Sequence, residues 1–394
     1  MRDSSDQVLS GLRVLDFGSF ITAPYAAMLL AEMGADVVKV ERPGTGDPFR
    51  AFNGGLYSSH FQAHNRNKRS IALDHSAPGA AAALDALIQQ ADVLLVNVRP
   101  GVESRLGLDP DRLQALNPRL VYCSITGYGA TGPYRDRPAY DNVGQALSGW
   151  LSMFHQGTDA RVPGPAISDA ITGLFAAMGI LGALHERSRT GRGRKVEVSM
   201  LESMIAFATE PLGKLFDSGE PVGFYDRAAS SQSFILTCAD QLRIGLHLSS
   251  PPKFWTGLLA AIERPDLGEK YADRFARVSR YDELAADLAA VFATRPRAEW
   301  AQRLEAQDVP FAPEHRLQDL ADDPQVRHLD LFYGVEHPQH GTVRAAHRAM
   351  RFDGDHRSDF RAPPTLGEHT REVLAEAGLG ADEMERLRQQ GLIA

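Results

Sequence analysis

The feature that most constrains this chain is an alternation of short apolar runs with helix-forming stretches, repeated between residues 12 and 199. Residues 12–17 (Leu-Arg-Val-Leu-Asp-Phe) form an apolar run of strand type. A turn at 18–21 follows, and residues 23–33 have helical character, with Pro24 suited to the first helical turn and Gly34 to the C-terminal cap. Residues 36–41 are the next strand. A strand, a helix and a strand in this order make a crossover unit, which implies parallel pairing. The pattern recurs with strands predicted at 70–73, 92–97, 120–126 and 195–199. Helices are predicted at 78–90, at 110–117 behind Asp109 as N-cap, and at 171–187. In that last helix Gly173, Ala176, Ala177, Gly179 and Gly182 predict close packing on neighbours. The fold class expected is α/β, with a Rossmann-like open parallel sheet.

A chain of 394 residues exceeds what one hydrophobic core usually fills, so two domains are expected. The character changes near residue 220. A hairpin is predicted at 234–238 and 242–246, with helices at 252–262, 281–293 and 297–307. The division expected is a large domain over 1–220, a smaller α/β domain over 221–325, and a segment over 326–394 that returns to the large domain. The formal net charge of −8 argues against a nucleic-acid partner. Cys123 and Cys238 sit in apolar runs and read as buried thiols, with neither metal-ligand spacing nor a disulfide framework. Residues 1–6 carry no secretory apolar segment, and no uninterrupted apolar stretch reads as a membrane span. A cytoplasmic protein without membrane association is expected.

The first strand–turn–helix suggests a nucleotide site, since a helix N-terminus attracts phosphate. The dinucleotide fingerprint needs three spaced glycines, and here only Gly18 is present, with Ile21 and Ala23 crowding the rest. Glu41 stands where a ribose-binding acid would be. Arg42 follows it, however, and with the glycines missing a dehydrogenase is poorly matched. The segment 191–195 is rich in glycine and cations but follows a helix, the wrong order for a phosphate loop. Arg42, the basic run 65–69, Asn97 and Arg105 all fall near strand termini, where open sheets bind ligands, and together suggest an anion site. Ser168-Asp169 precedes the long helix. Locally Asp169 reads as an N-cap, and the same position at the positive end of a helix predicts an ionised carboxylate.

Taken in order, these stretches resemble the class III CoA-transferases, the family of formyl-CoA, carnitine and bile-acid CoA-transferases, with 2-methylacyl-CoA racemases as relatives. The similar residues are 12–17, 33–41 (Met-Gly-Ala-Asp-Val-Val-Lys-Val-Glu), 67–74 (Asn-Lys-Arg-Ser-Ile-Ala-Leu-Asp), 91–93 with Asn97, and Arg105-Leu106-Gly107. They continue through Gly127-Tyr128-Gly129, Tyr140-Asp141-Asn142, 145–149, Asp169 with Gly173, Gly191-Arg192-Gly193 and 366–370. The resemblance implies an interlocked homodimer, with coenzyme A held mainly by the large domain. The CoA-binding positions it implies are Ser19, Phe20, Ile21, Thr22, Arg42, Leu73, His75, Asn97, Arg105 and Tyr140. It implies no metal and no permanently bound cofactor, coenzyme A being part of the substrate.

By the same resemblance Asp169 is the nucleophile. An aspartyl anhydride and an aspartyl-CoA thioester would carry CoA from an acyl-CoA to a small carboxylic acid. A racemase is the first alternative, but Tyr140 stands where those relatives place a His next to an Asp, and Tyr is a poor proton-exchanging group near neutrality. A non-catalytic acyl-CoA-binding protein is the second. Phe20, Ile21, Trp150, Met153 and Phe154 suggest an apolar pocket that disfavours oxalate, as do Ile21 in place of the Gln of oxalate-using relatives and the missing glycine-rich loop in the small domain. Arg50 or His64 could instead hold a second carboxylate, as on succinate.

Overall fold

A computed structural model describes residues 7–154, 160–162, 164–249, 252–355 and 360–394. Residues 1–6, on which the reading of the N-terminus rests, lie outside the described residues. The chain forms two compact units, one of residues 1–209 with 331–394 and one of residues 210–330. These limits fall at 209 and 330 where the sequence places them at 220 and 325.

The larger unit runs β1 (Arg13–Asp16), α1 (Thr22–Glu32), β2 (Asp36–Glu41), α2 (Ser59–Asn65), β3 (Lys68–Ala72), α3 (Ala81–Gln89), β4 (Val93–Val96), α4 (Val102–Arg105), α5 (Pro110–Leu116), β5 (Val121–Thr126), α6 (Asp141–Leu147), α7 (Ile167–Thr190), β6 (Lys195–Ser199) and α8 (Met200–Phe207). Six strands pair in parallel in the order β3-β2-β1-β4-β5-β6. This is the doubly wound Rossmann order. The inner strands read as continuous apolar runs because both faces are covered. Leu15, Val38, Ile71 and Leu94 pack with α3 residues on one face. Val14, Val37, Val93 and Val121 pack with α1 and α7 residues on the other. Each such aliphatic side chain contributes roughly 1.5–3 kcal/mol on burial.

The smaller unit contains α9 (Thr209–Ser218), which begins at its boundary, α10 (Asp226–Ser231), β7 (Ser233–Thr237), β8 (Arg243–His247), α11 (Pro252–Ile262), α12 (Pro265–Lys270), α13 (Arg274–Ser279), α14 (Tyr281–Phe292), α15 (Arg297–Glu305), β9 (Phe311–Pro313) and α16 (Pro324–His328). The predicted hairpin is present as β7 and β8, and β9 adds a third antiparallel strand. Trp300 anchors this core, stacked on Phe292 and donating its indole N–H to the Phe292 carbonyl at 2.8 Å.

The chain then returns to the larger unit as β10 (Phe332–His337), β11 (Gly341–Ala346), α17 (Thr370–Glu376) and α18 (Ala381–Gln389). This segment closes the β3 edge. Thr370 Oγ1 accepts from the Ala72 N–H at 3.0 Å, the Leu392 carbonyl accepts from the Asp74 N–H at 2.8 Å, and Ile393 bridges to Leu73.

The long helix α7 extends past both predicted ends, to 24 residues. It is long and apolar enough to cross a membrane, with a mean hydropathy of 1.7, so the reading that no such stretch exists is corrected. Half of that window is buried inside the protein, where α7 packs on α1 and β5. Gly173 allows this approach: a Cβ there would lie 2.9 Å from the Thr22 carbonyl. Gly182, expected to do the same, faces open space. Gly173→Val is expected to wedge α1 from α7 at about 1–3 kcal/mol, seen as a lower thermal midpoint. Gly182→Val should leave that midpoint higher than Gly173→Val does.

Candidate active site

Strand order reverses between β1 and β4, so the loops leaving their C-terminal ends diverge and open a crevice. A cavity of about 430 Å³ occupies it. Its walls are the β1–α1 turn, the loop after β4, the end of β5, the loop that leads into α6, and the first turn of α7. Phe20, Ile21, Thr22, Asn97, Arg105, Tyr140 and Asp169 all line it, so the structure brings together seven of the residues singled out in the sequence.

The other four are not among its lining residues. Ser19 presents only backbone to its neighbour Asn97, which accepts from the Ser19 N–H at 2.9 Å and donates to its carbonyl at 2.7 Å. Leu73 is fully buried in the core. His75 packs edge-on against Phe17, its Nδ1 lies 2.9 Å from the Leu106 carbonyl, and burial lowers its pKa. Arg42 is exposed at the end of β2, close enough to His75 to depress that pKa further.

Asp169 is not the cap of α7. The cap is Ala166, and Asp169 lies three residues inside, in the first turn. The cap's chemistry is supplied from α6. Asp141 Oδ1 accepts from the Ser168 N–H at 2.8 Å and the Asp169 N–H at 3.2 Å. A second carboxylate therefore sits at the helix end that was expected to stabilise Asp169. Burial first, and repulsion by Asp141 second, push the Asp169 pKa up to about 7. The expected permanently ionised carboxylate is corrected to one poised near neutrality, a common property of functional acids.

Opposite this acid the cavity is basic. Arg99, Arg105, Arg135 and Arg137 all reach it. Arg99 donates to the Asp136 carbonyl at 3.3 Å, Arg135 pairs with Asp136 at 3.4 Å, and Arg137 lies over the Tyr134 ring at 3.8 Å. The sequence reading found only Arg105. The others stand in the loops after β4 and β5, which the topological rule marks as ligand loops. Four exposed cations on one cavity suit a polyanionic ligand.

The basic run 65–69 is not part of this site. Lys68 is buried and bonded to Asp16, Asn65 and the Pro24 carbonyl, all within 2.9 Å. Arg69 is held by Asp36, Glu372 and Glu376, and Arg66 by Glu32. Arg50 is also spent, gripping Glu41 through two 2.7 Å bonds. Glu41 is thereby closed to a ribose, since Ser70 takes it at 2.7 Å as well. His64 is held neutral, its pKa driven down to about 4 chiefly by burial. Neither Arg50 nor His64 supplies a cation for a second carboxylate. The expected apolar pocket is also divided: Phe20 and Ile21 line the cavity, whereas Trp150 packs with Phe154 and Phe207 away from it. Met153 is not among the lining residues.

Comparison with known proteins gives a consistent answer. The family profile described as CoA-transferase family III matches residues 9–370. A succinyl-CoA:glutarate CoA-transferase of Mus musculus is 33% identical over 398 residues, covering 98% of this chain and 90% of the relative. A formyl-CoA:oxalate CoA-transferase of Rhodopseudomonas palustris (strain BisA53) is 32% identical, covering 98% of this chain and 97% of the relative. Among solved structures, a CAIB/BAIF family protein from Brucella suis superposes with a TM-score of 0.80 at 30% identity, over 94% of this chain and 99% of that one.

Proposed function

Since this chain belongs to CoA-transferase family III and is a CoA-transferase, we propose that Asp169 is the residue through which it moves CoA from an acyl-CoA donor to a carboxylic acid. The observation that carries the reading is the placement of Asp169, poised near neutrality, in a cavity ringed by four arginines.

The Asp169 carboxylate attacks the thioester carbonyl. The C–S bond breaks, CoA leaves as thiolate, and a mixed anhydride forms. The thiolate attacks the aspartyl carbonyl, releasing the donor's carboxylate and leaving an aspartyl-CoA thioester. The acceptor carboxylate attacks that thioester, expels the thiolate and forms a second anhydride. The thiolate then takes the acceptor's acyl carbon, and Asp169 is restored. Each step exchanges one activated carbonyl for another, so the reaction balances without ATP. The arginines hold the phosphates of CoA and keep the nucleotide end outside the reacting centre. Tyr140 lines the thioester side, packed edge-on to Phe20 at 5.8 Å.

Mass spectrometry of the protein with succinyl-CoA, acetyl-CoA and other acyl-CoAs, quenched with hydroxylamine, tests the reading. A hydroxamate at Asp169 supports it and names the donor. Deuterium wash-in at the α-carbon of a 2-methylacyl-CoA, with no labelled Asp169, would replace the transferase by a racemase. Arg99→Ala and Arg105→Ala are each expected to raise KM for acyl-CoA about tenfold, roughly what the loss of one charge-assisted phosphate contact costs, with steeper losses at high salt for the intact protein than for the variants.

A homodimer is part of the same reading. Val143 and Leu147 on α6, Leu174 and Met178 on α7, and Ile205 and Phe207 on α8 are large apolar side chains left exposed on three helices in mutual contact. Such a surface suits a second copy, and light scattering of the eluting protein tests it.

A further inference from the structure

The β1–α1 turn forms one wall of the cavity, and its backbone is held in an unusual way. Among the described residues, no backbone group pairs with the five polar groups running from the Gly18 N–H to the Phe20 N–H; side chains take all of them. Asp16 Oδ1 accepts from the Gly18 N–H at 2.9 Å, and Lys39 Nζ donates to the Gly18 carbonyl at 2.8 Å. Asn97 takes both groups of Ser19. Asp47 Oδ1 accepts from the Phe20 N–H at 3.2 Å.

Phe20 itself has a φ of +65°, a left-handed conformation that bulky aromatic residues avoid. Strain of this kind persists only where the surroundings over-determine it. Here the surroundings are charged and dry. Asp16, Lys39, Asp47 and Lys68 are completely or almost completely buried. Lys39 lies 3.0 Å from Asp47 Oδ2, and Lys68 lies 2.8 Å from Asp16 Oδ2. Burial alone would lower the Lys39 pKa, but Asp16 and Asp47 more than offset it. Buried ion pairs add little net stability compared with apolar packing of the same volume. What this one does add is a fixed shape for the turn.

We propose that Asp47 and Lys39 are positioning residues for acyl transfer, acting through Phe20: the buried pair clamps the β1–α1 turn in its left-handed form and so sets the cavity wall that faces Asp169. Asp47 also ties the turn to the residue that backs it, since the same Oδ1 accepts from the Phe49 N–H at 2.9 Å and Phe49 packs edge-on against Phe20 at 5.1 Å. A displacement of about 1 Å in such a wall is enough to slow a reaction about a hundredfold. This inference rests on the transferase reading, because the turn matters only as part of the cavity that holds the nucleophile.

The test compares Phe20→Gly with Phe20→Ala, first alone and then combined with Asp47→Asn. Both remove the ring, but only glycine adopts positive φ freely. Elsewhere in a chain alanine is the more stabilising of the two, so the order of the pair reports the turn. With the turn clamped, Phe20→Gly should exceed Phe20→Ala in thermal midpoint and in kcat by about fivefold, with KM for acyl-CoA within about threefold. With Asp47→Asn the kcat gap should widen beyond about tenfold, because a weakened clamp no longer enforces the strained form. Alanine matching or exceeding glycine in both backgrounds overturns the proposal, and so does an unchanged gap. Asp47→Ser, which keeps an acceptor, serves if Asp47→Asn does not fold. Hydroxylamine trapping on the intact protein reads the transferase assignment separately, and the thermal order of Gly and Ala does not depend on it.

Discussion

Asp169→Asn is expected to lose acyl exchange by about a thousandfold or more and, at the same time, to gain thermal stability at neutral pH. The first effect follows from removing the atom that forms the anhydride. The second follows from the environment of the carboxyl group. Its pKa is about 7 in the folded chain, well above the ordinary value of 3.8. Between those two values the folded protein holds a proton that the unfolded chain has released. Stability therefore falls as pH rises through this window, and the loss is complete above about pH 7. The amide carries no charge and escapes it. With allowance for partial access to water, the gain is about 1–2 kcal/mol, or roughly 1–3 °C in thermal midpoint. Melting curves at about pH 4.5 and pH 7.5 check the sign: the advantage of Asp169→Asn should be present at the higher pH and nearly absent at the lower. A variant that is inactive and also less stable at the higher pH would mean that Asp169 is a structural acid.

Asp141→Asn is expected to move the acid limb of the pH–rate profile. In the intact protein kcat/KM should rise through an apparent pKa near 7, since only the carboxylate of Asp169 attacks. About one unit below that value the rate should be down roughly tenfold. The amide introduced at this position keeps an oxygen for the Ser168 and Asp169 N–H groups, so the helix end stays capped. What it loses is the negative charge beside the nucleophile. The Asp169 pKa then falls part of the way, burial remaining the larger cause, and at about pH 6 the variant should keep a greater share of its plateau rate than the intact protein does. A limb that does not move would assign the titration to another group.

Much of the scaffold was legible in the sequence because its signals are local. The apolar runs at β1, β2, β4 and β5, the Asp109 cap and the Gly34 stop each depend on a few adjacent residues. The site was legible only in part, because its properties come from residues distant in the chain. Asp169 reads as a cap until Asp141, 28 residues earlier, is found occupying the same helix end. Lys68 and Arg69 read as ligand cations until Asp16 and Glu376 are found to neutralise them. Arg50 is lost to Glu41 in the same way. Arg99, Arg135 and Arg137 carry no sequence signal, because three scattered cations make no motif. Only the strand order makes their loops neighbours.

The division of the chain bears on how it is made. Residues 210–330 form one unbroken unit, whereas the Rossmann-like unit is completed only by residues 331–394. Arg69 waits for Glu372 and Glu376, and the edge strand β3 waits for Thr370 and Ile393. During synthesis the inserted unit can therefore fold while residues 1–209 still lack their last partners. Until residues 331–394 have emerged, the β3 edge of the sheet has no cover, and an uncovered edge strand is prone to pair with another chain. A chain stalled before residue 370 would keep that edge exposed, so residues 331–394 act as its seal.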